Sequence, residues 1–261
     1  MGKKAVFFDI DGTLWDEKND IPESTGTGIR KLRENGHLAF LCTGRSRSFI
    51  RGEELFALGF DGIVSGCGTM IEYEDEVLFY EKQEPGLLGR MARLLKKHHV
   101  PVIFEGRYGL YLDADDFAGE PYAQRIQREF ADAIKPVQEH LDDMEASKFS
   151  ILTPDDNYLQ IMEEAEKYFT PLKHGSFCIE FVPRGYSKAT GIAKTCELLG
   201  IRQEDTYAFG DSVNDVDMLR YVKHGIVMGN GTDVAKEAGD YITTALHEDG
   251  IYHGLERMGL I

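Results

Sequence analysis

Near-continuous apolar runs alternate with amphipathic stretches over the first third of the chain. Residues 5–8 (AVFF), 37–43 (HLAFLCT) and 61–65 (DGIVS) have the pattern of strands buried on both faces of a parallel sheet. Between the first two, residues 22–35 place Ile29 and Leu32 on one face and close at Gly36, which predicts a helix with a glycine at C′. A second helix is expected after Thr43, running on through Phe49 to Leu58. Gly66, Cys67 and Gly68 then turn the chain into a hairpin, residues 69–73 with 77–80, around Glu74-Asp75-Glu76.

The texture changes in the middle. Residues 85–99 form a strong amphipathic pattern, with Leu87, Leu88, Met91, Leu94 and Leu95 on one face. A hairpin follows, residues 100–104 with 108–112, across Gly106-Arg107. Next come a polar helix (120–133), a strand (148–152), a helix (155–169) and a strand (177–182), as in an antiparallel sheet with helices on one face. Alternation of strand and helix returns with a helix over 188–199, capped by Ser187 and closed by Gly200. Strands at 206–209, 225–228 and 241–243, a helix that opens at the Asp211–Asp215 segment and continues through Leu219, and helices at 232–238 and 250–258 complete it. The chain thus reads as α/β: residues 1–82 and 184–261 form a doubly wound, mostly parallel sheet, and residues 83–183 form an inserted α+β domain.

A length of 261 residues suits one large or two modest domains, and 42% apolar residues suffice for a core. The formal charge of −16 argues against nucleic acid or an anionic membrane as partner, and an anionic substrate would need locally supplied positive charge. No apolar run is long enough to span a bilayer, and Met1-Gly2-Lys3-Lys4 leads straight into a short strand rather than a secretory segment. Cys42, Cys67, Cys178 and Cys196 show no CxxC spacing and read as free thiols of a cytoplasmic protein. The phosphate-loop and dinucleotide-loop patterns are absent from the sequence.

Chemistry concentrates at predicted strand ends. Asp9 and Asp11 follow the first strand, and their spacing puts both carboxylates on one side of an extended backbone. Thr43-Gly44-Arg45 ends the second strand with a hydroxyl and exposed amides, a cradle for an anion. Gly210-Asp211-Ser212-Val213-Asn214-Asp215 ends a later strand, with Asp211 and Asp215 one helical turn apart. Lys188 opens a helix, where the helix dipole disfavours a cation. Each feature has a plain structural reading as a solvated strand end, a cap or an exposed lysine. Jointly they suit phosphoryl transfer, in which a carboxylate nucleophile, a hard cation and hydroxyl and cationic donors share one phosphoryl group.

The series DxDGT, TGR, SK and GDxxND, in that order, resembles the haloacid dehalogenase-like phosphohydrolase superfamily. The α+β insertion between TGR and SK resembles its Cof-type branch, with a type IIB (C2) cap. The resemblance implies Asp9 as nucleophile, Asp11 as general acid and base, and Mg²⁺ held by the Asp9 side chain, the Asp11 carbonyl and Asp211. It implies Thr43, Gly44 and Lys188 as phosphate binders, with Asn214 and Asp215 supporting the lysine and the metal, and a mobile loop over residues 12–21. Two positions depart from the family's habit: Cys67-Gly68 stands where Asn-Gly is common, and Gly231 follows Asn230 in place of Ala. The expected substrate is a small phosphorylated metabolite, a sugar phosphate by preference, with the insert covering the site. Arg45 and Arg107 are candidate substrate contacts, and the protein is expected to act as a monomer or homodimer. A phosphomutase on the same scaffold and a non-catalytic metabolite sensor are the alternatives.

Overall fold

The computed structural model describes residues 2–117, 120–153, 156–174 and 178–261. The chain forms two compact units, one of Met1–Gly44, Arg51–Tyr80 and Tyr186–Ile261, the other of Arg45–Ile50 and Glu81–Gly185. Residues 45–50, read from sequence as part of the first domain, therefore group with the second.

The first unit is built on a sheet of eight strands: β1 (Ala5–Phe8), β2 (Leu38–Cys42), β3 (Gly62–Ser65), β4 (Met70–Tyr73), β5 (Glu76–Tyr80), β12 (Thr206–Gly210), β13 (His224–Val227) and β14 (Tyr241–Ile242). Their order is β14-β13-β12-β1-β2-β3-β4-β5. Neighbours from β14 through β3 run parallel, and β3, β4 and β5 form an antiparallel meander. Its helices are α1 (Glu23–Glu34), α2 (Glu53–Ala57), α6 (Lys188–Leu199), α7 (Val216–Tyr221), α8 (Asp233–Ala238) and α9 (Gly250–Arg257).

Strand pleating sorts the core into two layers. Ala5, Phe7, Phe40, Cys42, Val64 and Ala208 pack with Ile192 and Cys196 of α6, Met218 and Leu219 of α7 and Ala235 of α8. On the opposite face Phe8 stacks on Phe209, ring centroids 5.1 Å apart. There α9 lies so close to Phe209 that only the bare Cα of Gly254 fits. Strand order reverses beside β1, between β2 and β12, and such a reversal opens a crevice at the carboxyl ends of the strands.

The helix expected after Thr43 through Leu58 is broken. A single 3₁₀ turn covers Arg47–Phe49, and α2 starts only at Glu53. Gly52 between them has φ +113°, outside the helical region, so the pattern of flanking apolar residues could not continue as one helix.

The second unit carries a sheet ordered β10-β11-β9-β6-β7-β8. Its strands are β6 (Val102–Glu105), β7 (Leu110–Tyr111), β8 (Ile134–Lys135), β9 (Lys148–Leu152), β10 (Phe169–His174) and β11 (Cys178–Pro183). All pairings are antiparallel except β7 with β8. Helices α3 (Pro85–Lys97) and α5 (Leu159–Ala165) cover Val102, Phe104, Phe149, Ile151 and Phe181. The other face also carries apolar cover, which corrects the expectation of helices on one face only. Ile126 of α4 (Pro121–Glu129) and Phe130 pack with Ile103, Leu110, Leu112 and Leu152. The same face holds a buried ion cluster in which Lys148 lies 2.7 Å from Glu105 and also meets Glu180. Asp155 and Phe177, expected to open a helix and a strand, lie outside the described residues.

Candidate active site

The carboxyl ends of β1, β2 and β12 bring the first unit's candidates together. The Asp9 amide donates to the Phe209 carbonyl at 3.0 Å, extending the β1–β12 ladder one residue past the strand. In the β1–β2 register Phe8 faces Leu41, so Thr43 follows closely on the level of Asp9. The buried Thr43 is tied to β3, its amide donating to Val64 at 2.9 Å.

Lys188 reaches this point because α6 docks on the Gly66–Gly68 turn. A Cβ on Gly68 would stand 2.5 Å from the Ser187 carbonyl, and one on Gly191 would stand 2.6 Å from the Gly68 Cα. Backbone thus meets backbone with no side chain between. Ser187 and Thr190 close the helix end as a capping box, which fixes the first residue of α6 in place. Lys188, 2% exposed, then donates to Asp9 Oδ1 at 2.5 Å and to Asp215 Oδ1 at 2.6 Å.

Asp215 organises the turn after β12. Its second oxygen accepts the Asp211 and Ser212 amides at 2.9 and 3.0 Å. Gly210 makes this possible, since a Cβ there would sit 2.7 Å from that of Asp215. Asn214 turns its carbonyl to the Ser212 hydroxyl at 2.7 Å, so the lysine's support comes from Asp215 while Asn214 holds the turn. Asp211 accepts the Thr13 hydroxyl at 3.0 Å. Its other oxygen presses on Gly12, where a Cβ would stand 2.5 Å away and where φ is +83°.

The electrostatics are those of a crowded acidic site. Burial, then the charge of Asp215, pushes the Asp9 carboxyl well above its ordinary range; Asp11 and Asp211 add to this and Lys188 opposes it. Burial and then Asp215 likewise raise Asp211 to about 6. Burial works against a charged Lys188, but contact with Asp215 and Asp9 outweighs it and holds the lysine protonated. Oxygens of Asp9, Asp211 and Asp215 lie within 4.8 Å of one another. An all-oxygen set with surplus negative charge fits a hard divalent cation such as Mg²⁺.

Sequence reasoning missed several supporting residues. Asn230 donates to the Gly12 carbonyl at 2.8 Å and accepts from the Leu246 amide at 2.9 Å, tying the loop after β1 to the loop after β14. The Trp15 indole donates to Asp11 Oδ1 at 2.9 Å. Residues 13–15 of the expected mobile loop are buried, and residues 17–20 are exposed. Arg45 and Arg107 belong to the second unit. The Arg107 guanidinium lies 4.4 Å over the ring of the exposed Tyr108, in the turn between β6 and β7, and Arg45 reaches the Phe49 carbonyl at 3.5 Å.

Fold and site define a phosphoryl-transfer hydrolase of doubly wound α/β architecture. Residues 6–255 match the model of the haloacid dehalogenase-like hydrolases, and the chain belongs to that family, as a phosphatase of its Cof-type branch. It is 32% identical to YkrA of Bacillus subtilis (strain 168), a provisionally named phosphatase, over the full length of both chains. A hypothetical protein from Geobacillus kaustophilus HTA426 superposes with a TM-score of 0.86 at 28% identity, both chains fully covered. The subclass IIB sugar phosphatase BT4131 superposes with a TM-score of 0.83 at 25% identity, covering 99% of this chain and 100% of the other.

Proposed function

We propose that the protein is a Mg²⁺-dependent phosphatase that hydrolyses a small sugar phosphate through an aspartyl-phosphate on Asp9. The observation that carries this reading is the placement of Lys188 between Asp9 and Asp215, beside the carboxylate of Asp211. In the first step an Asp9 oxygen attacks phosphorus. The bond from phosphorus to the leaving oxygen breaks, and Asp11 gives that oxygen its proton. In the second step water attacks the phosphorus of the aspartyl-phosphate and passes a proton to Asp11. The acyl-phosphate bond breaks, inorganic phosphate departs, and the Asp9 carboxylate is restored.

Thr43, Gly44 and Lys188 hold the phosphoryl oxygens in both steps, with Lys188 supplying fixed positive charge in a dry setting. The Asp9 side chain, the Asp11 carbonyl and Asp211 are the residues that would hold Mg²⁺. Held there, the ion would offset the repulsion between the carboxylate nucleophile and an anionic substrate. Arg45 and Arg107 are assigned to the substrate beyond its phosphate. Similarity to a sugar phosphatase supports the substrate class.

The test is Asp9→Asn assayed on p-nitrophenyl phosphate with Mg²⁺. Phosphate release should fall to background while the circular dichroism spectrum stays that of the parent; turnover by this variant removes Asp9 as nucleophile. EDTA should stop the parent enzyme and added Mg²⁺ should restore it. Transfer of the phosphoryl group to a second sugar hydroxyl instead of water would identify the mutase alternative.

A further inference from the structure

We propose that Trp15 is a positioning residue for Asp11, holding the general acid and base in the orientation that the proton transfers require. The inference rests on the reading of Asp11 given above. Asp11 is exposed, and an exposed aspartate samples several rotamers, most of them useless for delivering a proton to one leaving oxygen. Trp15 is 4% exposed and its indole nitrogen donates to Asp11 Oδ1 at 2.9 Å. A rigid, buried group thus grips a surface carboxylate.

The backbone makes this grip local and tight. The Gly12 amide donates to the Trp15 carbonyl at 2.9 Å, and the Leu14 and Trp15 amides both reach the Ile10 carbonyl. This closed turn brings residues 11 and 15 side by side as a β-bridge. The far edge of the indole rests on Gly52, where a Cβ would stand 3.3 Å from ring carbon Cζ3 and where φ is +113°. Gly52 therefore serves as a floor for the ring as well as a break before α2.

The choice of donor matters chemically. An indole N–H donates only and keeps its proton at working pH, so it orients the carboxylate without competing in proton transfer. Lysine or histidine in the same place would bring a titratable proton of its own.

Trp15 is the chain's one tryptophan, so the ¹⁵N-labelled protein has one indole amide resonance. Asp11→Ala should move that resonance and speed its hydrogen exchange. The kinetic test replaces Trp15 with β-(3-benzothienyl)alanine, which keeps the ring shape and substitutes sulfur for the N–H. Expected is a fall in kcat of about tenfold or more on glycerol 2-phosphate, with a KM change below about twofold. On p-nitrophenyl phosphate the fall in kcat/KM, which reports formation of the aspartyl-phosphate, should be smaller than on glycerol 2-phosphate, because its leaving group needs little protonation. Equal falls in kcat/KM on both substrates, unchanged rates, or an indole resonance indifferent to Asp11→Ala would each overturn the proposal. Full activity of Asp11→Ala itself would instead overturn the assignment of Asp11, a distinct outcome read in the same assays.

Discussion

Lys188 Nζ sits 2.5 Å from Asp9 Oδ1 although the two residues are separated by 179 positions in the chain. The contact is dry, with Lys188 2% and Asp9 3% exposed, and Asp215 completes it from the other side at 2.6 Å. Removing the lysine leaves two buried carboxylates facing each other. Lys188→Met should lose about 3–5 kcal/mol of stability by urea denaturation. It should also lose about 10²–10³-fold in kcat on p-nitrophenyl phosphate. A variant as stable as the parent would show that the site tolerates the uncompensated charge.

Protons and metal should compete for Asp211. Its folded-state value of about 6 lies above the ordinary 3.8, so its contribution to the stability of the metal-free protein is fully present below pH 3.8 and is lost as pH rises through 6. A divalent cation relieves the same repulsion. The rise in Tm produced by Mg²⁺ should therefore be larger at pH 7.5 than at pH 5, measured by calorimetry at matched ionic strength. A pH-independent rise would detach the metal from this carboxylate.

Gly12 has a steric role in the same place. Alanine there would need a disfavoured φ of +83° and would put its methyl 2.5 Å from Asp211 Oδ2. Gly12→Ala should cost about 1–3 kcal/mol in backbone strain and weaken Mg²⁺ binding as read by isothermal calorimetry. Unchanged Mg²⁺ affinity would place the metal away from Asp211.

Replacing Arg107 tests substrate recognition apart from chemistry. If it binds the substrate beyond its phosphate, Arg107→Ala should raise KM for the preferred phosphorylated metabolite about tenfold, the loss of one charged hydrogen bond, and leave KM for p-nitrophenyl phosphate nearly unchanged. Equal behaviour toward both compounds would make Arg107 a turn residue resting on Tyr108.

The parallel strands were legible because burial on both faces leaves almost uninterrupted apolar runs, and their acidic ends mark where the sheet stops. Asp9, Lys188 and Asp211 are at, or one residue past, an element boundary that the pattern reveals, and Asp215 is the residue just before α7. The break at Gly52 was hidden, since a glycine within a helical pattern is often tolerated and only its backbone angle disqualifies it. Strand β10 is not marked in the pattern: only Phe169 falls in an expected element, the end of a helix, and residues 170–174 fall in none; the strand carries Pro171, which suits its place at the sheet edge. The link from Asn230 to Gly12 spans 218 positions and has no periodicity to announce it. The bond from Trp15 to Asp11 spans only four, yet it depends on a turn that residue types alone do not specify.

The meeting of Gly68 and Gly191 leaves the reach of the lysine to two opposed hydrogens. A lone methyl group at either position would lift the start of α6 from its seat and carry the ammonium away from its acids. Whether this molecule works or idles is thus decided partly where it has no side chain at all.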